Sequence, residues 1–345
     1  MEVNLPEGLH KQSIPFLADW IKGQGFNCVR LTYSIDHALS PNTLVSDAFT
    51  NAATAAGVPL ANMTAMYQAA VVANPFMGDA NTTTQDVYGA VIDALWERGI
   101  MTLLDNHVSK ASWCCDLTDG NGWWDTAFGY IALNSQYFHT GEWMQGLQAM
   151  AAWAYGNHPG VYDLVAEAGT LVHAANPDVL VVVGGVNSAT DLTSIRLSRM
   201  VNTTGWPGKH VWEWHSYSFT VTFPRILPCS LLKDLYGGFV GFVLTQNKEY
   251  TAPLILSEFG VGQTGGPDDG GLSSADSKYL SCLTEYMESN DSDCVVWALQ
   301  GSYYVRDGKT DYNETWGLMN HDWTALRNPQ FPGLLGAMWN MTQGP

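Results

Sequence analysis

The amino-acid sequence predicts an α/β fold, a (β/α)8 barrel of the TIM type, as one domain over residues 1–345. Three observations carry this expectation. Short apolar, β-rich runs alternate with longer amphipathic stretches along nearly the whole chain. No internal repeat or linker-like segment divides it. Polar residues stand at the C-terminal ends of several apolar runs, where a barrel places its catalytic groups. A doubly wound sheet is the competing architecture, and the polar strand ends favour the barrel.

The strand candidates are Asn27–Tyr33, Met101–Asn106, Val161–Leu164, Val179–Gly184, Val211–Tyr217, Leu254–Phe259 and Val295–Gln300. Continuous apolar runs such as VLVVVG and LILSEF suit strands buried on both faces, as in a parallel sheet. Helices are expected between them, at Ile14–Lys22, Thr84–Arg98, Glu142–Tyr155, Val165–Ala175, Ser230–Gln246 and Ser274–Glu288. Thr84–Arg98 sets Val87, Val91 and Leu95 on one face, and Glu97-Arg98-Gly99 reads as its stop. The Ala-, Asn- and Thr-rich stretch 41–83 reads as a surface insertion.

Composition narrows the partner. Fifteen Lys and Arg against thirty-three Asp and Glu leave a net charge of −18. That excludes a nucleic-acid surface, which needs a basic face, and an anionic membrane surface. Charged residues are 14% of the chain and hydrophobic ones 46%, so it carries enough apolar surface to fold. Fourteen Trp and few cations suit a neutral, ring-shaped ligand such as a sugar. No apolar run is long enough to span a bilayer.

Six Asn-x-Ser/Thr sequons, at Asn62, Asn81, Asn202, Asn290, Asn313 and Asn340, point to a secreted, extracellular eukaryotic glycoprotein. The first residues carry no leader pattern, so a trimmed or truncated chain is expected. Six Cys permit disulfides in that compartment. They follow no zinc spacing, and their pairing stays open.

The strand ends carry the chemistry. Arg30 sits inside NCVRLTY and needs a carboxylate or carbonyl partner if buried. His107 follows MTLLDN, His215 and Tyr217 close VWEWHSY, Glu258 stands in LILSEF, and Trp297 lies in VVWALQ. Each alone has a structural explanation; on a barrel they converge on one mouth.

The stretches GFNCVRLTY, LLDNHVS, WHSYSFT, LILSEFGV and WALQGSYYVRDG, with the tail WGLMNHDWTALRNPQF, resemble the fungal branch of glycoside hydrolase family 5. These are cellulase-like retaining β-glycosidases on a (β/α)8 barrel. The resemblance implies that Glu258 is the nucleophile. It implies that Arg30, His107, His215 and Tyr217 orient that carboxylate and the sugar, and that Trp297 is the aromatic floor beneath the sugar. It implies a β-linked glucan or oligosaccharide as ligand, with no cofactor and no metal. Trp113, Trp123 and Trp124, and further on Tyr303, Tyr304 and Trp316, read either as sugar-stacking groups or as packed core.

Retaining hydrolysis needs a second carboxyl as acid/base. The family carries it in an Asn-Glu pair followed by Pro or Leu at the end of the fourth barrel strand, and no such pair occurs here. Glu167, in DLVAE, is the nearby candidate; it reads either as that strand end, with Ala166 in place of Asn, or as a helix start. The segment before it reads as shortened, and the chain begins inside the loop that follows the family's first strand. The barrel is therefore expected to be incomplete, with a strand edge open to self-association. Two functions follow: a hydrolase of β-glucan, or a pseudoenzyme that binds β-glucan or oligosaccharide without cleaving it.

Overall fold

A computed structural model describes residues 4–112, 119–122, 133–155, 157–158, 161–164, 169–197, 201–219, 227–265, 271–290, 292–336 and 338–339. Its strands are β1 (Cys28–Ser34), β2 (Met101–Val108), β3 (Val161–Leu164), β4 (Val181–Gly184), β5 (His210–Ser216), β6 (Leu254–Phe259), β7 (Cys294–Val296), β8 (Ser302–Arg306) and β9 (Lys309–Asn313). The chain forms two compact units, residues 1–179 with 302–313 and residues 180–301 with 314–345.

In the first unit β1, β2 and β3 pair in parallel, with Arg30 opposite Leu103 and Thr32 opposite Asp105. Parallel neighbours need a crossover, and the sequence supplies helices for it. The helix Ile14–Gly23 leads into β1; the Ser13 side chain accepts from the Phe16 N–H at its start. The helix Thr84–Trp96 leads into β2 behind a capping box of Thr83 and Asp86. It buries Val87, Tyr88, Ile92 and Leu95, a stripe of helical period. The helix Thr140–Ala154 precedes β3, and the helix Gly169–Ala175 follows it.

The stretch 41–83 folds as helices Val45–Ala56 and Leu60–Ala73 and a 3-10 turn at Pro75–Gly78. Its alanines favour helix, and Gly57, at φ 65°, turns the chain between the two helices. A bridge between Leu44 and Thr83 closes its base. Phe49, Met63, Ala70 and Met77 are buried, whereas Leu60 and Val72 face out.

An antiparallel hairpin, β8–β9, completes this unit. Asp307 and Gly308 both have positive φ, the requirement of a type I′ turn. The hairpin grips the segment before the first helix. The Tyr304 N–H donates to Glu7 Oε2 at 2.7 Å, and Lys11 Nζ donates to Asp311 Oδ2 at 2.7 Å. Burial pushes the Glu7 carboxyl up to about 8, against the opposing effect of the Tyr304 N–H.

In the second unit β4, β5, β6 and β7 run parallel. The expected helix Ser230–Gln246 is shorter: it spans Cys229–Phe239, and a 3-10 turn covers Gly241–Leu244. Three glycines in GGFVG weaken a continuous helix, and a Cβ at Gly241 would lie 2.1 Å from the Tyr286 hydroxyl. Helix Ser274–Asn290 is joined to Cys229–Phe239 by the Cys229–Cys282 disulfide. Trp214, Tyr236, Tyr279 and Tyr286 are buried in this unit's core. The strand expected over Val295–Gln300 ends at Val296, and a cis peptide joins Trp297 to Ala298. Among the described residues, no helix is long and apolar enough to cross a membrane.

Candidate active site

The second unit gathers three of the residues singled out from the sequence. His215 on β5 stands opposite Glu258 on β6, and the register shifts between Trp214 and His215. Such a bulge re-aims the side chains beyond it. The Tyr217 hydroxyl, one residue past β5, donates to Glu258 Oε1 at 2.7 Å. His215 Nδ1 lies 3.8 Å from the same oxygen, and the Glu258 side chain is 12% exposed. A carboxylate held this way has one oxygen fixed by a hydroxyl donor and a histidine beside it.

Aromatic rings line the same region. Phe219 stacks on Tyr217 with centroids 5.1 Å apart, and Trp316 meets both rings edge-on. Phe219 is largely exposed and Trp316 half-buried. Tyr303 and Tyr304 are fully buried; they belong to the core of the first unit and offer no open stacking face. Ser218 Oγ donates to Asp276 Oδ1 at 2.9 Å, which ties the segment after β5 to the helix Ser274–Asn290.

Trp297 follows β7 and is half-buried. Its N–H donates to the Phe259 carbonyl at 2.7 Å. A Cβ at position 260 would sit 2.2 Å from the Trp297 carbonyl oxygen. The glycine two residues after Glu258 is what lets the backbone at Trp297 come so close to β6.

In the first unit Arg30 and His107 meet on one carboxylate. Arg30 Nη2 and His107 Nδ1 each lie 3.0 Å from Asp105 Oδ2. The Trp143 indole N–H donates to Asn106 Oδ1 at 2.9 Å and holds the residue between them. Asp105 is buried, and the opposed charge of Arg30 compensates its removal from water.

Two acids were not singled out from the sequence, Asp105 and Glu213. Both stand two residues before a strand-end histidine, in Asp105-Asn-His107 and Glu213-Trp-His215. Side chains two apart on a strand share a face, so an acid-x-His pattern at the end of an apolar run was the available signal. Glu167 lies outside the described residues, as do Trp113, Cys114, Cys115, Trp123 and Trp124. Among the described residues, no group of three His, Cys, Asp or Glu is placed to hold a metal ion.

Comparison with known proteins fits this arrangement. The family model of cellulase, glycosyl hydrolase family 5, matches residues 10–302. A glycosyl hydrolase 5 family protein of Chamaecyparis obtusa is 35% identical over 370 residues, covering 100% of this chain and 62% of its own length. The chain thus spans under two thirds of that relative. An endoglucanase of Paenibacillus polymyxa is 22% identical, covering 94% of this chain and 76% of its own. Among solved structures, the Pyrococcus horikoshii endocellulase in complex with cellotetraose superposes with a TM-score of 0.68 at 17% identity, over 98% of this chain and 89% of that one. The catalytic domain of the major Xanthomonas campestris endoglucanase gives 0.67 at 18% identity, over 98% and 92%. The fold is that of the (β/α)8 barrel of these enzymes, with seven parallel strands, β1 to β7, among the described residues, in keeping with the incomplete barrel expected from the sequence, and the chain belongs to glycosyl hydrolase family 5, the cellulase family.

Proposed function

We propose that this chain is a secreted, retaining hydrolase of β-glucan or a related β-glycoside, of the fungal type its motifs resemble. The observation that carries this reading is the 2.7 Å hydrogen bond from Tyr217 to Glu258 at the ends of adjacent parallel strands. Glu258 is the nucleophile. Tyr217 and His215 hold it, with Arg30 and His107 as the further orienting groups that the family motif supplies. Trp297 is the sugar floor, and Phe219 and Trp316 add aromatic surface beside the nucleophile. Glu167 is the acid/base, which protonates the leaving oxygen.

Two aryl β-cellobiosides test the assignment, one with a leaving group that departs unaided and one whose leaving group needs protonation. Glu258→Gln is expected to abolish cleavage of both. Glu167→Gln is expected to lower kcat/KM, which reports the glycosylation step, only for the second, by about 10²–10⁴; kcat falls for both, because Glu167 is also the base of the shared deglycosylation step. Equal loss of kcat/KM on both substrates in Glu167→Gln refutes its role as acid.

The lack of an Asn-Glu pair followed by Pro or Leu favours a second reading, a protein that binds β-glucan without turnover. Retention on insoluble glucan with no cleavage of either substrate establishes it and refutes the first.

Secretion has its own test. Asn62, Asn81, Asn202 and Asn313 are exposed. Asn290 Nδ2 donates to the Tyr286 carbonyl at 2.7 Å, and Ser292 of the same sequon is buried with its hydroxyl on the Leu254 carbonyl. Expressed through a eukaryotic secretory pathway, the chain is expected to carry glycans at the four exposed sites and none at Asn290. Mass spectrometry after enzymatic deglycosylation reads this directly, and unmodified asparagine at all four sites refutes it.

A further inference from the structure

Glu213 is a buried carboxylate for which the proposed hydrolysis has no direct use. It lies on β5 two residues before His215, across the register shift at Trp214 and His215. Its Oε2 accepts a short hydrogen bond from Ser257 Oγ of β6 and lies 3.6 Å from His215 Nε2. The other ring nitrogen of His215, Nδ1, lies 3.8 Å from Glu258 Oε1. The imidazole therefore stands between two carboxylates, one beside each nitrogen. A neutral imidazole has one N–H and one lone pair, so one carboxylate would face a lone pair. The doubly protonated ring turns a donor toward each.

The adjacent strand makes room for this acid. β4 ends in Gly184, where a Cβ would come within 2.5 Å of Glu213 Oε1. Thr190, Trp214 and Tyr236 line a small cavity that His215 also borders.

We propose that Glu213 is a positioning residue, which holds His215 as a doubly protonated ring turned toward Glu258 and acts on the reaction only through that histidine. The proposal rests on the reading of Glu258 as nucleophile, yet its first readout needs no turnover. The protein is labelled with ¹⁵N-histidine, and His215→Gln assigns the ring signals. In the unsubstituted protein at assay pH, His215 is expected to show the doubly protonated pattern. Glu213→Gln keeps the side chain's size and an acceptor for Ser257 but removes the charge. It is expected to convert the signals to a single neutral tautomer and to lower kcat about tenfold at unchanged KM, the sign of an effect exerted after substrate binds.

Gly184→Ala displaces the Glu213 carboxylate without deleting it and is expected to change the His215 spectrum in the same sense. A neutral His215 in the unsubstituted protein overturns the proposal, as does a spectrum that Glu213→Gln leaves unchanged. A protein that cleaves no β-glycoside refutes the hydrolase reading, and the ¹⁵N comparison still decides the role of Glu213.

Discussion

Removing one oxygen atom tests the heart of the site. Tyr217→Phe deletes the hydroxyl that donates to Glu258 Oε1 at 2.7 Å. The ring stays packed, stacked on Phe219 at 5.1 Å and edge-on to Trp316 at 5.8 Å. The substitution therefore costs little apolar contact, and its effect falls on the carboxylate. A hydrogen bond to a charged group contributes about 1.5–3 kcal/mol. The Glu258 side chain is 12% exposed, so water can replace part of the lost bond. The lower part of that range, about 1.5–2 kcal/mol, applies, and it converts to a fall in kcat/KM of roughly 10- to 30-fold. The assay is kcat/KM on an aryl β-cellobioside, with thermal unfolding of both proteins as the control for folding. If Tyr217→Phe stays within about twofold of the unsubstituted protein while Glu258→Gln is inactive, the hydroxyl does not serve the nucleophile and the reasoning fails.

Three further predictions concern stability. Burial raises the Glu7 carboxyl from 4.5 to about 8, so between those values the folded chain keeps a proton that the unfolded chain has released. Stability then falls as pH rises through that window, by at most ~1.4 kcal/mol per unit; Glu7→Gln should flatten the slope in urea unfolding at pH 5 and pH 8, and an unchanged slope rejects it. Cys229 and Cys282 close a loop of 53 residues, for which the chain-entropy account gives about 4 kcal/mol; a Cys229→Ser, Cys282→Ser double variant should unfold at correspondingly lower denaturant, and an unchanged midpoint contradicts that account. Asp105→Asn leaves the buried Arg30 without its 3.0 Å carboxylate and should destabilise by about 3 kcal/mol, read by chemical denaturation; a loss under about 0.5 kcal/mol shows that the pair carries little.

Much of the fold is legible in local patterns, because hydrophobic period and capping chemistry are local. Val161–Leu164 and Leu254–Phe259 are strands with the bounds their apolar runs suggest. The helices Ile14–Gly23 and Thr84–Trp96 start where Ser13 and Thr83 offer caps. The hairpin β8–β9 is equally legible in Asp307-Gly308, a type I′ signal. The stretch 41–83 hides its helices because Leu60–Ala73 is apolar on several sides, so the sequence shows no single apolar stripe, although Met63 and Ala70, seven residues apart, share its buried face.

The candidate site divides along the same line. Arg30, His107, His215, Tyr217 and Glu258 are readable because an ionisable group in an apolar run stands out, whereas Trp297 is singled out by its family motif. The two acids that hold the histidines were visible only as a spacing of two. Composition, a net charge of −18 and fourteen Trp, is the source of the expectation of a neutral ligand behind the proposed function. Which groups touch was decided by tertiary structure alone. Tyr217 and Glu258 are 41 residues apart and meet at 2.7 Å. Cys229 was matched to Cys282 when six cysteines allowed fifteen pairings. Hydrogen bonds and disulfides act over a few ångström, and strand register and helix packing, set by contacts far along the chain, bring the partners within that reach.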